Sequence, residues 1–296
     1  MIEKWKKTVD NGGVFGALLT DLSKAFDCIP HDLIIAKLEA YGFHIDALKL
    51  IHDYLSNRKQ RVKVNDAYSS WKDIFYGVPQ GSILGPLLFN IHLCDLFYFL
   101  KDLDIASYAD DTTIYTVSEK KESVIRALET SSSMLFGWFK NNFMNANSDK
   151  SHLIMSCAEA TTAVIDGLPI VSSKTEVLLG ITIDHELKFD DHVNRLCKKA
   201  SLKLNALARI APFMNVSKER IIMKSFIESQ FGYCPLIWMF HSRGLNNKIN
   251  RIHERALRIT YNDQSSSYGE LLTKDRSVTI HHRNIRALAI EIYKVM

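Results

Sequence analysis

No apolar run in this sequence reaches the roughly 18 uncharged residues that a membrane-crossing helix needs. The densest, Ile83–Leu100, is interrupted by Pro86, Asn90, His92 and Asp95, so it reads as a buried helix. The opening residues, MIEKWKKTVDNGG, carry charge but neither an apolar core nor a small-residue cleavage site, and no secretory signal is visible. The cysteines (Cys28, Cys94, Cys157, Cys197, Cys234) are scattered, odd in number and never spaced as CxxC. That argues against a zinc knuckle or a disulfide framework and for buried thiols in a reducing compartment. There is no P-loop, no internal repeat and no low-complexity tract. Together these absences predict an intracellular protein, nuclear or cytoplasmic, that is not secreted and has no membrane partner. They say nothing about its oligomeric state.

What is present is an uneven distribution of charge. Residues 1–187 carry 18 Lys/Arg against 24 Asp/Glu, a net of −6, whereas residues 188–296 carry 19 against 9, a net of +10. An acidic half joined to a basic half suits a cation-dependent site beside a polyanion-binding surface. The alternative is that the basic residues merely solvate helix faces.

Periodicity predicts an α+β fold. Phe15–Asp21 reads as a buried strand ending in an acid. Pro30 opens a helix stopped by Gly42, and a second helix runs to about Leu55. Residues 61–64 and 71–76 alternate around a polar turn at Asn65-Asp66, giving a hairpin. The loop Gly77–Ser82 leads to a helix over 86–100, and a tight hairpin then forms around Tyr108-Ala109-Asp110-Asp111. A long amphipathic helix spans 119–142, with strands at 151–156 and 177–183 and an Asp166-Gly167 turn between them. From residue 190 onward the pattern is helical: 191–210, 217–233, 245–261 and 278–294. The expected division is an α+β layer over 1–187 and a helical, basic region over 188–296.

The adjacent carboxylates of Asp110 and Asp111 read equally well as a metal site or as an Asp-rich turn. Asp21 alters the balance. If its strand lies antiparallel beside the hairpin, Asp21, Asp110 and Asp111 form an oxygen-ligand cluster suited to hard Mg²⁺ ions. Two such ions serve in-line phosphoryl transfer.

Three segments, LLTDLSKAF (18–26), GVPQGSILGP (77–86) and YADD (108–111), occur in the order found in reverse transcriptases. The chain resembles most closely those of non-LTR, LINE-type retrotransposons. The resemblance implies a right-hand polymerase palm with an antiparallel sheet and packed helices, followed by a helical, thumb-like part. It also implies an RNA-directed DNA polymerase that uses an RNA template, a DNA primer, deoxynucleoside triphosphates and two Mg²⁺ ions, with Mn²⁺ as a substitute. By motif position, Asp21, Asp110 and Asp111 are the catalytic acids and metal ligands, with the Leu22 carbonyl completing one metal shell. Phe26 falls at the position of a steric gate against the ribose 2′-OH, and Ala25 where the nucleotide lies close. Gln80 and Gly81 fall in the loop facing nucleotide and template. Lys150 matches a lysine that protonates pyrophosphate, and Leu178, Leu179 and Gly180 resemble the hairpin that grips the primer end. The basic helices after Asp190 resemble a thumb that tracks the duplex backbone.

Each residue has a structural alternative. Asp27, six residues beyond Asp21, suits capping better than ligation. Phe26 reads as core as well as gate, and Lys150 as a solvated lysine as well as an acid. Trp138, Phe139 and Phe143 read as packing rather than a base-stacking platform. His281-His282 has no nearby Cys or acidic partner and reads as an exposed helix start. The family normally carries a fingers subdomain before the first motif, and about twenty residues precede Asp21 here. The expectation is a piece of a larger polyprotein, or of a decayed element, in which most of the fingers is missing and no segment of this chain resembles an endonuclease. A catalytically inactive nucleic-acid-binding remnant is the alternative function.

Overall fold

A four-stranded antiparallel sheet explains how residues ninety positions apart meet in this protein. The computed structural model describes the backbone of residues 1–296, and the side chains of all but 147–149 and 295. The chain divides into two units, Met1–Leu179 and Gly180–Met296.

The first unit opens with α1 (Ile2–Asp10), β1 (Val14–Leu22) and a 3₁₀ turn at Ala25–Asp27. Helices α2 (His31–Ala40) and α3 (Ile45–Leu55) follow. Four short strands come next: β2 (Lys59–Gln60), β3 (Lys63–Val64), β4 (Ala67–Tyr68) and β5 (Lys72–Asp73). Then come α4 (Leu84–Phe99), β6 (Ile105–Tyr108), β7 (Asp111–Ser118), α5 (Lys121–Asn141) and β8 (Ala146–Met155). The unit ends with β9 (Thr162–Ile165), β10 (Leu168–Val171) and β11 (Thr175–Leu178). The main sheet has the order β6-β7-β1-β8, which places β1 at its centre. A central strand covered on both faces reads as a near-continuous apolar run, and FGALL in β1 is one. Trp5 of α1 stacks on Phe15 with ring centroids 4.6 Å apart. On the β1–α5 side, a Cβ on Gly16 would lie 2.6 Å from Val124 Cγ1 and 2.8 Å from Leu128 Cδ1, so glycine lets the helix approach the sheet. The core of the unit gathers Leu18, Ile34, Leu38, Phe89, Leu128 and Leu153.

One cation lies within this apolar interior. Lys37 of α2 donates to the His92 carbonyl at 2.7 Å and to Asp95 Oδ1 at 2.9 Å on α4. Its ammonium also sits 5.0 Å from the Trp138 ring centroid on α5. Burial pushes the Lys37 pKa down, against the opposing pull of Asp95.

The second unit contains β12 (Ile181–Asp184), α6 (Asp190–Ile210), α7 (Val216–Ile222), α8 (Pro235–Trp238), α9 (Arg243–Tyr261), α10 (Tyr268–Asp275) and α11 (Ile280–Val295). Two polar clusters fasten its helices. Asp275, buried, accepts from Arg220 Nε at 2.6 Å and from the Tyr261 hydroxyl at 2.8 Å. Glu228 pairs with Arg283 Nη1 at 2.8 Å and with His253 Nε2 at 3.2 Å.

Several expectations need correction. The strand expected over 177–183 is two strands, because Leu179 and Gly180 both take positive φ, 47° and 81°. The helix expected over 217–233 becomes a π-turn at Met223–Ile227 and a 3₁₀ turn at Glu228–Phe231 once α7 ends. Of the five cysteines, all free, Cys197 alone is buried, and Cys94 and Cys234 are exposed. Among the described residues, no helix is long and apolar enough to cross a membrane.

Burial alone would raise the Asp275 carboxyl, but hydrogen bonds from Arg220 and Tyr261 and the charge of Lys224 hold it below the ordinary value. A depressed carboxyl contributes its full stability above the unfolded pKa, near 3.9, and loses it as pH falls through the folded one. Asp275→Asn is therefore expected to lower stability at pH 7 by about 1–3 kcal/mol. It should also flatten the loss of stability below about pH 4, read from urea midpoints across that range.

Candidate active site

The β1–β7 ladder ends at the pair Thr20↔Thr112. One residue beyond that pair lie Asp21 on β1 and Asp111 on β7. Thr20 Oγ1 donates to the Thr112 carbonyl at 2.8 Å, a buried bond that locks the end of the ladder. The β6–β7 hairpin closes through the two-residue turn Ala109–Asp110, with Tyr108 paired to Asp111. Ala109 takes φ 52°, a left-handed conformation that hairpin turns of the primed types require. For a residue with a Cβ this costs about 1–2 kcal/mol. The Ser107 hydroxyl stands 3.4 Å from the Ala109 carbonyl and 3.3 Å from Thr112 Oγ1, bracing the turn.

The three acids feel one another. The Asp111 carboxyl is raised above the ordinary value, first by burial and then by the charges of Asp110 and Asp21. Lys150 of β8 offsets part of this charge, with its Nζ 3.5 Å from Asp21 Oδ2. Asp21 pairs with Asn147 across β8 and Leu22 with Ala146, after a register shift at Thr20. A cleft of about 100 Å³ is lined by Asp21, Asp111, Lys150 and Leu178, so residues from four strands converge there. Leu179 lines a neighbouring cleft of about 180 Å³ with Tyr108 and Asp111. Among the described residues, no three His, Cys, Asp or Glu side chains form a preassembled cation cage. The donor chemistry still fits a hard divalent cation, because mutually repelling carboxylate oxygens are what such an ion neutralises.

The loop 77–82 is stitched to the turn that follows β1. Val78 N donates to the Phe26 carbonyl and Gly77 N to the Ile29 carbonyl, each at 2.8 Å. His31 Nε2 stands 2.8 Å from the Gly77 carbonyl. Gly77 takes φ 86°, and a Cβ there would lie 2.8 Å from Asp27 Cα, so the two backbones meet where a side chain has no room. Gly81 takes φ 78° in open space. Gln80 Nε2 donates to Asp27 Oδ1 at 2.9 Å. Asp27 is thus an anchor for Gln80, a contact fifty-three residues apart that spacing does not reveal. Ala25 is buried, and the half-buried Phe26 ring stacks on Phe89 of α4 at 4.2 Å. Beside this loop lies a larger cleft of about 630 Å³, bordered by Lys24, Arg58, Gln60, Tyr76 and Gln80. Arg58 sits outside the three motifs, and Lys24 lies within the first of them at a position to which no role attaches.

Trp138 and Phe139 are buried, in keeping with packing, whereas Phe143 is exposed. His282 lies in the first turn of α11, its backbone N–H bonded to Thr279 Oγ1 at 3.2 Å.

Comparison with known proteins identifies the family. The family described as "Reverse transcriptase (RNA-dependent DNA polymerase)" matches residues 5–189. The "Probable RNA-directed DNA polymerase from transposon BS" of Drosophila melanogaster is 27% identical over 82% of this chain and 28% of its own length. The "RNA-directed DNA polymerase from mobile element jockey" of the same fly is 28% identical over 82% of this chain and 28% of its own length. The chain therefore spans a little over a quarter of these relatives. Among solved structures, apo telomerase from Candida tropicalis gives a TM-score of 0.49 at 13% identity, over 92% of this chain and 46% of that one.

The two loop glycines make a paired test. Gly81→Ala is expected to cost about 1–2 kcal/mol for its positive φ alone. Gly77→Ala should cost more, because the added Cβ also meets backbone, and chemical denaturation of both variants would show the order. Asp110→Asn should lower the Asp111 carboxyl towards the ordinary value, followed by NMR titration of the side-chain carbon without added metal.

Proposed function

This chain belongs to the reverse transcriptase (RNA-dependent DNA polymerase) family, and on that footing we propose that it is the palm and thumb portion of a non-LTR retrotransposon polymerase. In this reading it joins deoxynucleotides to the 3′-hydroxyl of a DNA primer against an RNA template. Residues 1–187 serve as palm and 188–296 as thumb. The observation that carries the proposal is the gathering of Asp21, Asp111 and Lys150 around one cleft, with Asp110 in the adjoining turn.

The reaction loses the primer 3′-hydroxyl proton to water, forms a bond from that oxygen to the α-phosphorus, breaks the bond from the α-phosphorus to the bridging oxygen and releases pyrophosphate. Asp21, Asp110, Asp111 and the Leu22 carbonyl would hold two Mg²⁺ ions, or Mn²⁺ in their place, which supply Lewis-acid stabilisation of the attacking and leaving oxygens. Everything else falls to the chain. The strained Ala109–Asp110 turn fixes where the acids stand before substrate arrives, so little reorganisation remains at the moment of reaction. Lys150 keeps a proton beside Asp21 and gives it to the departing pyrophosphate. Gln80, held by Asp27, faces the base and template with Gly81, and the Phe26 ring, backed by Phe89, closes the space that a ribose 2′-hydroxyl would need. Ala25 leaves room for the sugar. Leu178, Leu179 and Gly180 support the primer end.

A second reading, nucleic-acid binding without catalysis, rests on the net charge of +10 over residues 188–296. Salt-dependent binding to an RNA–DNA duplex with no metal-dependent extension would favour it.

Primer extension on an RNA template is the direct test. Asp110→Ala is expected to reduce turnover by at least about 100-fold, and full activity in that variant would sink the polymerase reading. Phe26→Ala should admit ribonucleotides while leaving deoxynucleotide incorporation measurable. Asp27→Ala, which frees the Gln80 amide, should raise KM for the nucleotide more than it lowers kcat.

A further inference from the structure

The segment Arg58–Tyr76 touches the site described above only at its base, where Arg58, Gln60 and Tyr76 border the cleft beside Gln80, and the rest of it has no role there. It forms two stacked ladders, Lys59–Gln60 with Lys72–Asp73 and Lys63–Val64 with Ala67–Tyr68. Asn65 turns the tip at φ 52°. Two ladders of this length have little stability alone in water. Its aromatic side chains nevertheless face solvent: Trp71 is 57% exposed, Tyr68 52% and Tyr76 58%. An exposed cluster of large rings marks an interaction surface.

Charge identifies the kind of partner. Residues 58–73 carry five Lys/Arg against two Asp, within a half of the chain that is net negative. The Arg61 guanidinium lies between two rings, 4.1 Å from the Tyr68 centroid and 4.6 Å from that of Trp71. Both rings remain more than half exposed in that arrangement. Lys63 also lies over Tyr68, at 5.3 Å, so cations and rings alternate along the hairpin. Rings interleaved with cations suit a polymer of bases and phosphates, and an apolar protein or lipid partner would leave these charges unpaired. Ring faces stack on bases only where the bases are not already stacked in a duplex, which selects an unpaired strand. The base of the hairpin, Arg58, Gln60 and Tyr76, borders the 630 Å³ cleft that also holds Gln80. A strand lying along the hairpin is thereby delivered to the nucleotide-facing loop.

We propose that the hairpin Arg58–Tyr76 binds a single-stranded nucleic acid, stacking its bases on Trp71 and Tyr68 and leading the strand to Gln80. That this strand is the unpaired RNA template ahead of the primer end rests on the polymerase reading. The stacking itself does not.

The protein carries its own reporter. Its other three tryptophans, Trp5, Trp138 and Trp238, are 0%, 7% and 1% exposed, so a ligand-dependent change in emission reports on Trp71. Titrating the full chain with a short oligouridylate is expected to quench that emission, and the quenching should vanish in Trp71→Phe. Trp71→Ala should weaken oligouridylate binding by about 5- to 150-fold, while binding of a blunt RNA–DNA duplex, followed by anisotropy, stays within about twofold. Trp71→Phe should retain most of the affinity, which separates stacking from a folding defect, and circular dichroism checks both variants. Unquenched emission with equal affinity in Trp71→Ala overturns the proposal. An inactive chain whose Trp71 is quenched sinks the polymerase reading and keeps this one. An active chain whose Trp71 is silent does the reverse.

Discussion

The hydrogen bond from Thr20 Oγ1 to the Thr112 carbonyl closes the end of the β1–β7 ladder, and everything at the site is referred to that register. Strand side chains alternate faces, so a slip of one residue would send Asp21 and Asp111 to opposite sides of the sheet. The register is secured on both flanks. Gly16 admits α5 close against β1 at one end, and the braced Ala109–Asp110 turn fixes the hairpin at the other. Burial first, and then repulsion from Asp110 and Asp21, raise the Asp111 carboxyl, and the sheet supplies the force that keeps the acids together. Burial of Leu18, Leu128 and Leu153 behind the strand therefore does electrostatic work. It holds like charges at a separation that an unconstrained loop would relax.

Much of this could be read before the fold was known, for definite reasons. The apolar run of β1, the small-residue turn at Ala109 and the glycines of the 77–82 loop each have a local cause that spacing exposes. Other features have causes that are not local. The first half of β8, ANSDK, is too polar to announce a strand and becomes one because β1 offers it an edge. The π-turn after α7 leads directly into Glu228, whose partners His253 and Arg283 lie 25 and 55 residues away. The capping box that opens α10, Ser267 with Glu270, by contrast has a local cause in the Ser-x-x-Glu spacing. Asp27 was ambiguous because its partner, Gln80, arrives from the far side of two helices and a hairpin.

The division of charge has a physical logic of its own. A site built from carboxylates repels the phosphate backbone on which a polymerase must act. On the proposed function, attraction for the polymer has to come from basic residues other than those at the acids. Lys150 is the one lysine paired to Asp21 among the described residues, and the excess of Lys/Arg lies after residue 187.

The stacking of Phe26 on Phe89 carries a consequence for how such a protein drifts under mutation. If the ring of Phe26 sorts sugars, its stiffness is inherited from a buried residue on a helix that never touches the nucleotide. Substitutions selected only for packing within α4 would then alter chemical discrimination as a by-product, and a lineage could change which nucleotides it accepts without altering any residue in contact with them. On that reading, fidelity and core stability would draw on the same side chains and evolve as a single trait.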